Sequence, residues 1–289
     1  MKLFLIRHAE SEHNVAQVYA GTTDSALTNH GMVQIRRLAI HFKTQGVVFT
    51  TVFSSDLLRA RTTAEGICGL AGGEEREGVS SQPLPIILPL LRERDFGSLE
   101  GKSWLTMRRD DSNSASGIAG EPEPHSSVAS RVDSFLSHHL LPVISQGVRT
   151  AQSVAVVSHG VLLSALWEAL SRLFLSKHVV PGPGVQAINL APAWSNTGYL
   201  ELAIGRVEDA LSSPTLAEGG QPQHNLDASN KAETLHDAPD PPLHGHTMTI
   251  LTINGRQHLI NLRRIPGVGS SRHDATQQRI DNFFPKPKN

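Results

Sequence analysis

Val154-Ala155-Val156-Val157-Ser158-His159-Gly160-Val161-Leu162-Leu163-Ser164-Ala165-Leu166-Trp167-Glu168-Ala169-Leu170 decides how the chain folds. Its first four residues are uniformly apolar and largely β-branched, the clearest strand pattern in the sequence. From Val161 to about residue 174 the residues read as a helix that follows the strand at once. His159, Glu168 and Arg172 interrupt the apolar stretch over 154–175, so a strand and an amphipathic helix explain it better than a membrane span.

The same unit recurs on either side. Residues 3–6 are a short apolar run, the pattern of a strand buried on both faces. Thr28 is a candidate N-cap for a helix whose Met32, Ile35, Leu38, Ala39 and Phe42 recur at helical spacing. Residues 51–54 read as a second strand. Ser55 or Asp56 would cap a helix that turns Leu57, Ala60, Ala64 and Ile67 one way. Residues 86–88 form a third strand between Pro85 and Pro89, and 109–127 are a polar loop or lid. A helix over 128–141 is expected to end or kink at Pro142. Two later strands are read at 185–190 and 199–204. Alternation of strand and helix at this scale predicts an α/β fold with a mostly parallel sheet sandwiched by helices.

Residues 208–246 are rich in Pro, Gly, Ser, Asp and His and are expected to be a disordered insertion. Residues 247–253 and 257–262 flank Asn254-Gly255, a hairpin signal. Beyond them, 264–289 reads as a flexible tail. The 289 residues are 39% hydrophobic but only 5% aromatic, which suits one folded domain with polar excursions. A formal charge of −1 provides no global field toward nucleic acid or membrane. Cys68 is the single cysteine, which rules out an internal disulfide framework, and it falls on the apolar side of a helix. With no export signal in the short run at 3–6, a soluble protein of the cytoplasm or nucleus is expected.

In open parallel sheets, ligands bind beyond the carboxyl ends of the strands. Arg7 and His8 follow the first strand. Ser55, Asp56 and Arg59 follow the second, Arg92, Glu93 and Arg94 the third, and Ser158 and His159 the strong strand. Two histidines, a carboxylate and several arginines thus reach one edge from four segments. Guanidinium forks suit phosphoryl oxygens, and imidazole can serve as nucleophile or proton donor near neutral pH. No metal-ligand spacing, Walker loop or Gly-x-Ser-x-Gly elbow competes with this set.

These residues also carry a resemblance. Leu5-Ile6-Arg7-His8-Ala9-Glu10-Ser11 with Asn14, Leu27-Thr28 with Gly31, Ser54-Ser55-Asp56-Leu57 with Arg59-Ala60, Leu91-Arg92-Glu93-Arg94-Asp95-Phe96-Gly97, and Ser158-His159-Gly160 resemble, in order, the motifs of the histidine phosphatase (phosphoglycerate mutase-like) superfamily. Asn254 with His258-Leu259 resembles the family's closing segment. The resemblance implies that 1–207 and 247–263 form the catalytic domain. It implies a phosphohistidine on His8, with Arg7, Arg59 and His159 holding phosphate and Glu93 as proton donor. Asn14 matches a position near the phosphate. The implied enzyme needs no metal and no cofactor. Ala9 stands where the family usually has glycine.

Asp95-Phe96-Gly97 and Val161 depart from the cofactor-dependent mutases, and both departures favour a phosphatase acting on a phosphorylated small molecule or phosphoprotein. A mutase-type transferase, or a catalytically weak scaffold binding a phosphorylated ligand, are the alternatives. A second signal lies at the carboxyl end. Gln277, Ile280, Phe283 and Phe284 are spaced as in the box that binds the sliding clamp PCNA. A short turn would put Ile280 and both phenylalanines on one side as an apolar plug.

Overall fold

The computed structural model describes residues 1–69, 83–107, 120–147, 152–185, 192–208, 240–265 and 267–274. Among these residues seven strands form one sheet: β1 (Lys2–Arg7), β2 (Phe49–Ser54), β3 (Ile86–Ile87), β4 (Ser153–Ser158), β5 (Val179–Pro181), β6 (Tyr199–Arg206) and β7 (His246–Gly255). Their spatial order is β3-β2-β4-β1-β6-β7-β5. β1, β4, β2 and β3 run parallel, as do β7 and β5. β6 lies antiparallel between β1 and β7 and is the one reversed strand of the described sheet.

Side-chain alternation explains why the sheet is covered twice. Leu3 and Leu5 join Val154, Val156, Leu200 and Leu202 on one face, while Phe4 and Ile6 join Ala155 and Val157 on the other. The helices are α1 (Glu12–Ala16), α2 (Asn29–Thr44), α3 (Leu58–Ile67), α4 (Trp104–Met107), α5 (His125–Phe135), α6 (Leu141–Gly147) and α7 (Gly160–Ser171). α5 and α7 bury Val132, Phe135, Leu163 and Leu166 on the first face. α2 and α3 bury Leu38, Phe42, Ala60 and Ala64 on the second, where Phe42 meets Phe4 and Phe49 edge to face at 5.3 and 5.2 Å. Cys68 packs in this second cluster, and burial pushes its thiol up to about 11. Thr28 caps α2 as expected, its hydroxyl accepting from Gly31 N–H at 3.0 Å. Gly31 must be glycine, because a Cβ there would stand 2.2 Å from the Glu10 carbonyl oxygen.

Several expectations need correction. Neither Ser55 nor Asp56 caps α3. The carboxylate of Asp24, arriving from a distant loop, accepts the Leu58 N–H at 2.8 Å. Pro142 does not end its helix. A π-helical turn, Leu136–Leu140, precedes α6, and Leu141 N–H reaches back five residues to the Leu136 carbonyl. The wider turn makes room for a ring that cannot donate a hydrogen bond. The expected hairpin at Asn254-Gly255 is absent. β7 pairs with β6 instead, and Gln257–Leu259 is a single 3-10 turn. The third strand is shorter than expected, and β5 was not foreseen.

Of the expected strand at 185–190, only Val185 is described, and its N–H closes a turn onto Gly182. The described residues take in 240–246 of the expected insertion, where Leu243 is buried and its N–H donates to the Leu173 carbonyl at 2.8 Å. The start of the expected flexible tail is docked on α2: Asn29 N–H donates to the Ser271 carbonyl and His273 N–H to that of Leu27. Most of the expected insertion, residues 109–119 of the loop, and Gln277, Ile280, Phe283 and Phe284 lie outside the described residues. Among the described residues no helix is long and apolar enough to cross a membrane.

Candidate active site

Parallel strands in register end side by side, and this brings the predicted residues together. Arg7 pairs with Ser158, and Ser54 with Val157. His8 N–H continues the ladder to the Ser158 carbonyl at 2.9 Å, and Ser55 N–H to that of Val157 at 3.0 Å. His8 and His159 consequently face each other with ring centroids 5.0 Å apart at 55°.

His8 is almost fully buried, and its Nδ1 lies 2.7 Å from the Ala9 carbonyl oxygen. A carbonyl can only accept, so this contact assigns the proton to Nδ1 and leaves Nε2 with a free lone pair. Burial first, then the charges of Arg59 and Arg7, hold the imidazole well below its ordinary pKa. His159 is fully buried, with Nε2 at 2.9 Å from the Ser55 hydroxyl and Nδ1 without a partner among the described residues. Burial, followed by Arg59, His8 and Arg7, lowers its pKa in the same way.

The arginines are only partly committed. Arg7 donates from Nη1 to the Trp194 carbonyl at 2.6 Å, and Arg59 donates to the carbonyls of Ala20, Gly21 and Thr23 at 2.7–3.0 Å. In both, the buried Nε–H has no partner among the described residues. Burial pulls Arg59 down to about 10, which still leaves it cationic at neutral pH. Arg92 turns away to a bidentate pair with Asp56, and Arg94 donates to the Glu123 carbonyl.

Glu93 sits on the first turn of α7. Its Oε2 accepts from Val161 N–H and its Oε1 from Leu162 N–H, both at 3.1 Å, so one carboxylate answers two orphan donors of the helix. A Cβ on Gly160 would lie 4.0 Å from both Arg7 Nε and Glu93 Oε2, so the glycine marks the gap between them. Arg131 braces the 3-10 turn Pro89–Leu91 that leads into Glu93, donating to the carbonyls of Leu90 and Arg92 and pairing with Glu123.

Arg7, His8, Asn14 and Glu93 open onto one cavity of about 440 Å³ with Val18, Tyr19, Phe96, Trp104, Val161 and Trp194. Arg59 and His159 are packed behind that lining. Asn14 is held by Asn196, whose amide also donates to the His8 carbonyl at 3.1 Å. Asn196, Thr197 and Trp194 were not foreseen. Ala9 is unstrained, since the non-glycine residues at positive φ are Gln17, Thr197, Asn254 and Asn261 among the described residues. Its methyl packs with Leu27 and Ile35.

The profile described as "Histidine phosphatase superfamily (branch 1)" matches residues 3–181. The chain belongs to the histidine phosphatase superfamily. A Schizosaccharomyces pombe protein named "Probable phosphatase" is 28% identical over 283 residues, covering 98% of this chain and 79% of the yeast one. A 2,3-bisphosphoglycerate-dependent phosphoglycerate mutase of Rhizobium etli is 31% identical over 183 residues, 59% of this chain and 80% of the mutase. In fold, the structure titled "Mycobacterial hydrolase 1" superposes with a TM-score of 0.56 at 18% identity, covering 88% of this chain and 98% of that one.

Proposed function

We propose that this member of the superfamily is a phosphatase that hydrolyses phosphomonoesters through a phosphohistidine on His8. The observation that carries the reading is the facing of His8 and His159 at 5.0 Å beside two arginines whose buried Nε–H groups have no partner among the described residues. His8 Nε2 attacks phosphorus, an N–P bond forms and the P–O bond to the leaving alcohol breaks, with Glu93 giving that oxygen its proton. Water then attacks phosphorus, the N–P bond breaks, and Glu93 takes the proton back. Arg7, Arg59 and His159 offset the charge on the equatorial oxygens, and Asn14 contacts the phosphoryl group or the ester beside it.

Hydrolysis is favoured over a mutase reaction by two observations. The yeast phosphatase aligns over 98% of the chain, whereas the mutase aligns over 59%. Arg7 is also the one cationic side chain among the described residues lining the cavity, while a mutase must hold a sugar acid carrying a carboxylate as well as phosphate. Turnover of p-nitrophenyl phosphate should fall at least about 1,000-fold in His8→Ala, and rapid quenching of the wild type in alkaline detergent, where the N–P bond survives, should trap phosphate on His8. Undiminished turnover in His8→Ala would sink the proposal.

We also propose that the tail containing Gln277, Ile280, Phe283 and Phe284 recruits the protein to PCNA, which would place a fraction of it in the nucleus. The support is the spacing alone: an apolar plug with Pro285-Lys286-Pro287-Lys288 behind it. A tail peptide should retain PCNA, and the Phe283→Ala, Phe284→Ala peptide should not. Equal capture by both discards the idea.

A further inference from the structure

The chain is poor in aromatics, with 3 Trp and 2 Tyr in 289 residues, yet Trp104, Trp194 and Tyr19 all line the cavity beside His8, together with Phe96. Tyr19 and Phe96 stand 4.7 Å apart at 43°, and all four rings are only half-buried. Half-buried rings in a concavity leave faces on which another flat group can stack.

Two polar groups of the lining are already engaged from within. Asn14 Oδ1 accepts from Ser11 N–H at 3.1 Å and from Asn196 at 2.9 Å. Ser164 donates to the Gly160 carbonyl at 2.9 Å and accepts from Trp194 Nε1 at 3.0 Å. Apart from Arg7 at the phosphoryl end, no lysine or arginine lines the cavity among the described residues. Among the described residues, a carboxylate or second phosphate on the substrate would therefore be desolvated against aromatic and aliphatic walls without a counter-charge.

Resting on the phosphatase reading above, we propose that the preferred substrates are phosphomonoesters whose leaving alcohol carries a flat, uncharged aromatic ring, as in a benzyl-type or nucleoside monophosphate. Esters carrying a second anionic group are disfavoured. Stacking on two or three rings predicts a preference on the order of 10- to 100-fold in kcat/KM over aliphatic esters.

The test compares benzyl phosphate and AMP with glycerol 3-phosphate and 3-phosphoglycerate. All four leave as alcohols after protonation by Glu93, so the comparison reads recognition rather than leaving-group reactivity. Both ring-bearing esters, or one of them, should exceed glycerol 3-phosphate, with 3-phosphoglycerate slowest. The better of benzyl phosphate and AMP identifies whether the ring sits next to the ester or one sugar away. Trp104→Ala should narrow the ratio of the better ring ester to glycerol 3-phosphate by about 10-fold, and Trp104→Phe should restore most of it. Glycerol 3-phosphate or 3-phosphoglycerate turned over as fast as the ring esters would overturn the inference and leave the phosphatase standing. Failure to turn over any ester, with no phosphate trapped on His8, overturns both.

Discussion

The hydroxyl of Ser55 lies 2.9 Å from Nε2 of His159 and also accepts the Leu57 N–H at 3.3 Å. An oxygen already accepting one bond is well placed to donate its own proton to Nε2, which directs the imidazole proton to Nδ1, unpartnered among the described residues. Ser55 thus acts on His159 rather than on substrate. Ser55→Ala should lower kcat about 10-fold, the worth of one such hydrogen bond, with KM little changed. Ser55→Thr, which keeps the hydroxyl, should recover most of the loss. An alanine variant with wild-type kcat in steady-state assays would remove this serine from the catalytic arrangement.

Arg131 fixes Glu93 without touching the cavity. Its guanidinium serves the Leu90 and Arg92 carbonyls at 2.9 Å and the Glu123 carboxylate at 2.8 Å. Arg131→Leu strands those acceptors and frees the segment that aims Glu93. It should lower kcat by about 10-fold or more, since small misplacements of an acid are costly. A lysine has one ammonium for several acceptors in a fork arrangement, so Arg131→Lys should rescue only part of the rate. Full activity in Arg131→Leu, measured on protein with unchanged circular dichroism, would contradict the bracing role.

Burial, Arg59 and Arg7 depress His8, so it is neutral at pH 7 and stays a nucleophile on mild acidification. The acid limb of kcat/KM that belongs to His8 should fall below 6.5, the ordinary value for an imidazole. Removing the positive charge with Arg59→Met should move that limb toward higher pH, because one of the two cations that disfavour imidazolium is gone. The rate of phosphoenzyme formation against pH measures both. A limb that moves the opposite way would refute the electrostatic account.

Much of this arrangement was legible because parallel strands deliver the residues that follow them to a common edge. β1 and β4 were visible as apolar runs, and Arg7, His8, Glu93 and His159 each follow such a run or the turn after it. Trp194, Asn196 and Thr197 escaped for the complementary reason. They precede β6, and β6 is antiparallel, so its beginning rather than its end lies at the site. The Asp24 cap on α3 crosses 34 positions of sequence, where no local pattern can point to it. At Pro142 a local π-turn just before the ring lets the helix continue, while at Asn254-Gly255 the pairing of β7 with β6 overrides a local hairpin signal.

Thr197 holds the nucleophile's backbone from behind at a conformational cost. At φ 56° it is a β-branched residue in the left-handed region, and its N–H reaches the carbonyls of Arg7 and His8 at 3.1 and 3.3 Å. Its hydroxyl donates to the Asn196 carbonyl, so the 2.9 Å contact with His258 Nε2 has the imidazole as donor. The neutral ring fits, with Nδ1 buried and unpartnered among the described residues, and burial lowers His258 to about 4, with His41 and Arg37 adding to the shift. The unfolded chain takes up this proton near 6.5, before the folded one does. Stability should therefore erode as pH falls from 6.5 to about 4 and not further on account of this group. His258→Gln keeps a donor but cannot titrate. Its unfolding free energy should decline less than the wild type's over that interval, by on the order of 3 kcal/mol at most. Urea unfolding of both proteins at several pH values measures the difference, since His8 and His159 are common to the two. Parallel curves would show that acid sensitivity arises elsewhere and that the His258–Thr197 contact does not require a neutral ring.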